Sequence, residues 1–150
     1  MDMTGEERIA APRDAVWAAL NNPDILKQCI PGCQSLERIS PTELTATVRV
    51  KIGPVSTSFN GDVTLSNVKA PESYTIFGEG KGGIAGFAKG GADVVLKADG
   101  NETILQYEAR AEVSGKIAQF GARLVDSSAK KLMQRFFADF TAAINSQASA

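Results

Sequence analysis

Histidine is missing from all 150 residues. Its absence excludes Ser-His-Asp and Cys-His catalysis, histidine-ligated metals and the usual acid/base residue near neutral pH. Cysteine is scarce too. Cys29 and Cys33 flank Ile30-Pro31-Gly32, a spacing that fits neither a CxxC redox pair nor a zinc framework, so two ordinary thiols near a turn are expected. No apolar run approaches the ~20 residues that span a bilayer, and no charged-then-apolar leader opens the chain. The expected location is therefore the cytoplasm. Nor is either charge in excess: 16 basic against 17 acidic residues leave a formal charge of -1, no electrostatic footprint for nucleic acid. No repeat or linker interrupts the sequence. With 43% hydrophobic residues it can bury a real core, and we expect one domain over 1–146 with a frayed tail at 147–150.

What is present is dominated by one long helical pattern from Lys116 to about Asn145. Stepped at ~100° per residue, Ala118, Gly121, Val125, Ala129, Leu132, Phe136, Phe140 and Ala143 share one broad side. Gln119, Arg123, Lys130, Gln134 and Thr141 lie opposite. The apolar side is slight at its start and bulky at its end.

Upstream, Thr4–Ile9 reads as a strand. Ala11-Pro12 starts a short helix carrying Val16, Trp17 and Leu20. Asn21-Asn22-Pro23 stops it, and Asp24–Cys29 forms a second helix ended by Pro31-Gly32. From Gln34 the period becomes two. Leu44, Ala46, Val48, Val50 and Ile52 alternate with polar residues, Gly53-Pro54 turns the chain, and Val55, Thr57, Phe59, Gly61, Val63 and Leu65 return. Strands around Tyr74-Ile76, Ala92–Leu96 and Thr103–Gly115 follow, the last two joined at Asp99-Gly100-Asn101. The turns favour consecutive hairpins. Strand, two short helices, six strands and a long helix define an α+β fold: a curved seven-stranded antiparallel sheet wrapped around the C-terminal helix.

The inner rows of this sheet lose bulk toward Gly78, Gly80, Ala88, Gly90, Ala109 and Ala111, facing Ala118, Gly121 and Ala129. Two readings fit. Small residues permit sharp curvature and close helix contact, or they surround an apolar pocket. We adopt the pocket. Left unfilled, one of ~300 Å³ would cost on the order of 7 kcal/mol, which an apolar guest offsets. In the run Gly78–Gly91, Gly78, Gly80 and Gly83 match GxGxxG, yet no helix follows and a dinucleotide site is rejected. A hairpin with Ile84 and Phe87 at its tip is expected instead, able to line a portal or touch a partner or membrane. Leu26 and Ile30 are apolar for a connection and cap the same interior. The carboxylates form no convincing acid/base pair, so no catalytic or metal site is assigned.

Taken together, these stretches give the chain a resemblance to the carbon monoxide dehydrogenase G-subunit family, within the helix-grip superfamily of SRPBCC, START and pollen-allergen-like (Bet v 1-like) domains. The resemblance rests on Gly5-Glu6-Glu7, Ala11-Pro12, Val16-Trp17, Ile30-Pro31-Gly32-Cys33, Leu36-Glu37, Val50–Val55, the Gly78–Gly91 run, Gly115–Gln119 and Phe136-Phe137. It implies a helix-grip fold and a non-catalytic accessory protein of an aerobic molybdenum-type CO dehydrogenase or related hydroxylase. Such a protein holds a non-covalent quinone or lipid in its cavity and aids membrane recruitment or delivery of an electron acceptor. It implies no covalently bound cofactor, and peripheral contact with the inner face of the membrane. Some relatives carry a C-terminal apolar anchor; the sequence to Ala150 contains none. From side-chain direction, the expected ligand-binding residues are Phe59, Tyr74, Ile76, Leu96, Tyr107, Ala109, Val113, Val125, Ala129, Leu132 and Phe136. The expected portal is Leu26, Ile30, Ile84 and Phe87. Rival readings are an adaptor with a vestigial pocket, or a small enzyme acting on an aromatic or polyketide ligand with Tyr74 or Tyr107 as acid.

Overall fold

Residues 2–52 and 54–148 are described by the computed structural model. Alternating sequence stretches form seven strands: β1 (Asp2–Ile9), β2 (Cys33–Ser40), β3 (Glu43–Ile52), β4 (Val55–Lys69), β5 (Ser73–Lys81), β6 (Phe87–Asp99) and β7 (Glu102–Ser114). They make one antiparallel sheet in the order β1-β7-β6-β5-β4-β3-β2. β2 to β7 follow one another as a meander. β1 closes beside β7 with Gly5 opposite Tyr107, so the connection from β1 to β2 must travel from one sheet edge to the other.

Two helices make that crossing, α1 (Arg13–Leu20) and α2 (Pro23–Cys29). Pro12 sits at the N-cap of α1 rather than inside its first turn, and Asp14 complements the positive helix end. Asn22 caps α2, its side chain accepting from the Asp24 amide at 3.0 Å. Thr103, wholly buried on β7, donates to the Ala11 carbonyl at 2.8 Å and ties the start of α1 to the sheet. Cys29 and Cys33 are free thiols, and burial pushes both upward in pKa.

The last helix, α3 (Ala122–Ala148), starts later than its periodicity predicts. Lys116–Phe120 form a 3-10 turn, and Gly121 takes a φ of 90°, a left-handed conformation that ends the turn and redirects the chain. Ala118 and Gly121 therefore precede α3 instead of sharing its face. Within α3 the buried stripe is Val125, Phe137, Phe140 and Ile144, with Met133 and Phe136 packed beside it. Leu132 falls roughly 80° from the centre of that stripe and is 38% exposed. The expected tail is partly helical, because α3 reaches Ala148. Its last two residues, the Gly53 turn position and the side chains of Ile52 and Val55 lie outside the described residues. Among the described residues, no helix is long and apolar enough to cross a membrane.

The interior has two parts. The larger joins Ile9, Val16, Ala19, Leu96, Leu105, Phe140 and Ile144 between the sheet, α1, α2 and the second half of α3. The smaller gathers Ala85, Ile117 and Val125 with Phe59, Val113 and Phe120 at the opposite end. Phe140 is wholly buried in the larger part. Phe140→Ala is expected to cost about 3–5 kcal/mol of unfolding free energy in urea titration; a loss below ~1 kcal/mol would show that this ring does not anchor α3.

Candidate functional site

A cavity of about 230 Å³ lies between the concave sheet face and α3. Its floor is a set of inward side chains in register on adjacent strands. Tyr74 pairs with Val94, and Val94 with Tyr107, one row across β5, β6 and β7. The next row runs from Ile76 through Ala92 to Ala109, and the two alanines leave the floor low there. Leu36, Leu44, Val63 and Leu65 continue the wall on β2, β3 and β4. Leu20, Leu26 and Ile30 line it at the α1–α2 end, and Met133, Phe136 and Phe137 form the roof.

The roof is held by rings in contact. Tyr107 stacks on Phe137 at 5.4 Å, Phe137 meets Phe136 edge-on at 5.2 Å, and Phe136 stacks on Phe140 at 5.7 Å. Such pairs each add ~0.5–1.5 kcal/mol beyond area burial. They also fix the height of α3 above the sheet.

Polar groups are confined to a few places on the wall. Arg38, exposed, donates to the Asn21 carbonyl at 2.7 Å and to the Pro41 carbonyl at 2.9 Å. It straps the end of α1 to the β2–β3 turn, and its stem and Asn21 border the cavity there. This is where the lining meets solvent, and we take it as the mouth. On the other side Tyr107 and Met133 separate the cavity from a groove between β1 and α3 that holds Glu7, Lys130 and Gln134. The Tyr107 hydroxyl lies against Gly5, where a Cβ would collide with it. Burial and then the charge of Glu7 raise its pKa. Tyr74 is 8% exposed and meets Trp17 edge-on at 5.4 Å. Burial pushes its phenol up to about 12. Among the described residues no group of three or more cysteine, aspartate or glutamate side chains is placed to hold a metal ion.

Of the residues expected to bind ligand, Tyr74, Ile76, Tyr107, Ala109 and Phe136 meet at this cavity. Leu26 and Ile30, expected at a portal, form part of its wall. The others do not border it. Leu96 is packed in solid core. Phe59, Val113 and Val125 belong to the smaller core. Ala129 is half-buried away from the lining, and Leu132 is turned out. Ile84, 88% exposed, and Phe87 lie by the smaller core. The reason is local: the Phe59 ring covers Gly80 and Gly82, filling the region where the glycines alone imply a hollow. Leu44, Val63 and Leu65 are legible in the sequence as inner-row residues, whereas Met133 and Phe137 join the lining without having been expected there. Their signal is the 3–4 spacing that leads from Met133 to Phe137 and Phe140.

A curved antiparallel sheet gripping a C-terminal helix over an apolar cavity is the helix-grip architecture shared by START and Bet v 1-like proteins. Within that class the placement is specific: residues 5–145 match the model of the carbon monoxide dehydrogenase G subunit (CoxG), and the chain belongs to this family. A conserved protein of Geobacillus kaustophilus is similar at 30% identity and a TM-score of 0.91, over 97% of this chain and 96% of that one. A START superfamily protein of Mycobacterium smegmatis shares the fold at 15% identity, TM-score 0.74, over 97% and 98%. So does Zhui, a Streptomyces aromatase/cyclase, at 12% identity, TM-score 0.67, over 97% and 93%. Comparison with curated protein sequences gave no match.

Two outcomes test this geometry. Ala92→Leu with Ala109→Leu is expected to raise the cavity floor and weaken binding of an apolar fluorescent probe at least about tenfold, at an overpacking cost of ~1–3 kcal/mol. Val125→Trp is expected to leave that binding unchanged. Undiminished binding in the double variant would place the site elsewhere.

The second outcome concerns alkali. The folded protein keeps the Tyr74 proton up to about 12, whereas an unfolded chain releases it near ~10. Stability that is complete below pH ~10 is therefore lost as pH rises toward 12, by roughly 2–3 kcal/mol. Urea midpoints at pH 8 and pH 11 should diverge less in Tyr74→Phe than in the wild type.

Proposed function

We propose that this protein is a non-catalytic carrier of a quinone- or lipid-like small molecule. It serves an aerobic molybdenum-type CO dehydrogenase or a related hydroxylase, aiding membrane recruitment or delivery of an electron acceptor. The observation that carries the reading is the apolar cavity under α3, together with membership of the CoxG family. Its ~230 Å³ exceeds the ~150 Å³ apolar cavity that accepts benzene and lies just below the ~300–1,000 Å³ of drug-sized sites. A guest of one or two rings fits inside, and any long tail leaves by the mouth at Arg38 and Asn21.

Peripheral membrane contact has two supports. Ile84 stands out at a hairpin tip, and Leu132 is exposed on α3 next to Arg135, one turn further on. A basic surface with an apolar point suits the anionic inner leaflet.

The enzyme alternative rests on the phenols of Tyr74 and Tyr107 on the cavity wall, both raised in pKa by burial. Efficient acid catalysis needs a pKa near the working pH, and a phenol at about 12 holds its proton too tightly. The site is better suited to holding a guest than to reacting with it.

The test is to purify the full chain from a quinone-rich host, weigh it by native mass spectrometry and extract what it carries. About one equivalent of an apolar compound is expected, and adding it back should raise the melting temperature. No co-purified compound, and no shift across a broad panel of quinones and lipids, would overturn the carrier reading.

A further inference from the structure

Tyr74 is the polar exception in the depth of the cavity. Of the other polar lining groups, the Arg38 guanidinium is engaged by the Asn21 and Pro41 carbonyls. The Asn21 amide donates to the Trp17 carbonyl at 2.9 Å. The Tyr107 hydroxyl lies over Gly5 on the edge strand. Tyr74 is 92% buried, from its 8% exposure, and its hydroxyl makes no hydrogen bond to any described residue. Among the described residues no side-chain oxygen or nitrogen is at once sealed from all space and unpartnered. The Tyr74 hydroxyl is therefore not sealed off, and Tyr74 lines the cavity.

Resting on the carrier reading above, we propose that the Tyr74 hydroxyl is a specificity-determining hydrogen-bond donor, selecting neutral ring compounds with a carbonyl oxygen at the ring edge. The chemistry follows from the donor's surroundings. With its pKa pushed upward by burial alone, the phenol stays protonated at any physiological pH and offers a neutral O–H. A hydrocarbon guest leaves that donor unmatched in an apolar space, which is unfavourable. A carboxylate guest at Tyr74 would bring a buried charge to a single neutral donor and is disfavoured more strongly. A ring carbonyl satisfies the hydroxyl without burying a charge. The edge-on contact with Trp17 holds the ring, so the position of the hydroxyl oxygen is set before the guest arrives.

The test compares 2,3-dimethyl-1,4-naphthoquinone, whose ring carbons are blocked against attack by Cys29 or Cys33, with 2,3-dimethylnaphthalene. Calorimetric titration of the full chain should show the quinone bound about tenfold or more tighter than the hydrocarbon. Tyr74→Phe should reduce that preference to near parity while leaving hydrocarbon affinity unchanged or higher. The melting temperature of the unliganded variant should hold or rise, because an unpartnered hydroxyl has been removed. In the wild type, the bound quinone's carbonyl stretch should lie at lower frequency than in hexane. This second measurement does not depend on the variant's folding.

An unshifted carbonyl band, a preference retained in Tyr74→Phe, or a melting temperature lowered by more than about 4 °C would overturn the role of Tyr74. So would equal wild-type affinity for the two compounds, with the carrier reading left standing. Binding of neither compound by the wild type would overturn the carrier reading and this proposal with it.

Discussion

The seat of α3 on the concave face of the sheet is the constraint on which the other features depend. Phe140 and Ile144 are driven into the larger core, where they meet Ile9, Val16 and Leu105. Burying such side chains gains ~1.5–3 kcal/mol each, enough to fix the rotation of the helix. Once that rotation is set, the rings one turn earlier are committed. Phe136 and Phe137 prop the helix at a height decided by their contact with each other and with Tyr107. Beneath them the sheet offers Ala92 and Ala109, too short to reach the roof. The hollow comes from large rings held at fixed height over small floor residues, and neither alone would produce it.

Much of the fold was legible because its signals are local. Alternation over Glu43–Ile52 and Glu102–Ser114 identifies strands whose inner rows the structure keeps. The turns favour a meander with a terminal helix, and Asn21-Asn22-Pro23 marks the end of α1 in the sequence itself. The start of α3 was less legible. A glycine inside a helical pattern is read as a tolerated weakness, but Gly121 adopts a positive φ that separates a 3-10 turn from the helix. The period continued across the break while the chain direction did not.

The position of the hollow was legible only in part, for a different reason. Glycine and alanine show where side-chain volume is missing from a strand, not what lies opposite. At Gly80 and Gly82 the missing volume is taken by Phe59, which reaches across from the neighbouring strand β4. At Ala92 and Ala109 no ring descends, because those of α3 are occupied with one another and with Tyr107. The same composition thus gives close packing at one end and a cavity at the other. Local pattern cannot separate the two cases, since the deciding contact is long-range. Leu132 illustrates the converse: it is apolar and near the expected face, but the deeper seat of Phe137 and Phe140 turns it outward.

On the carrier reading a guest must also leave, and the cavity's chemistry is compatible with release. Its wall is apolar over most of its extent, so the affinity for a guest would scale with the apolar area buried. Left unfilled, a cavity of this size costs on the order of 5 kcal/mol, a large share of the ~5–15 kcal/mol by which a domain is stable. Occupancy and the seating of α3 are therefore coupled: a guest supports the roof, and loosening the roof weakens the guest. The strap from Arg38 to Asn21 and Pro41 spans the mouth with hydrogen bonds at an exposed residue, where water can replace them at little cost. Opening there requires no disruption of the Phe140 seat. The strap is thus the part of the wall that gives way most cheaply, while the Phe140 seat keeps α3 in place.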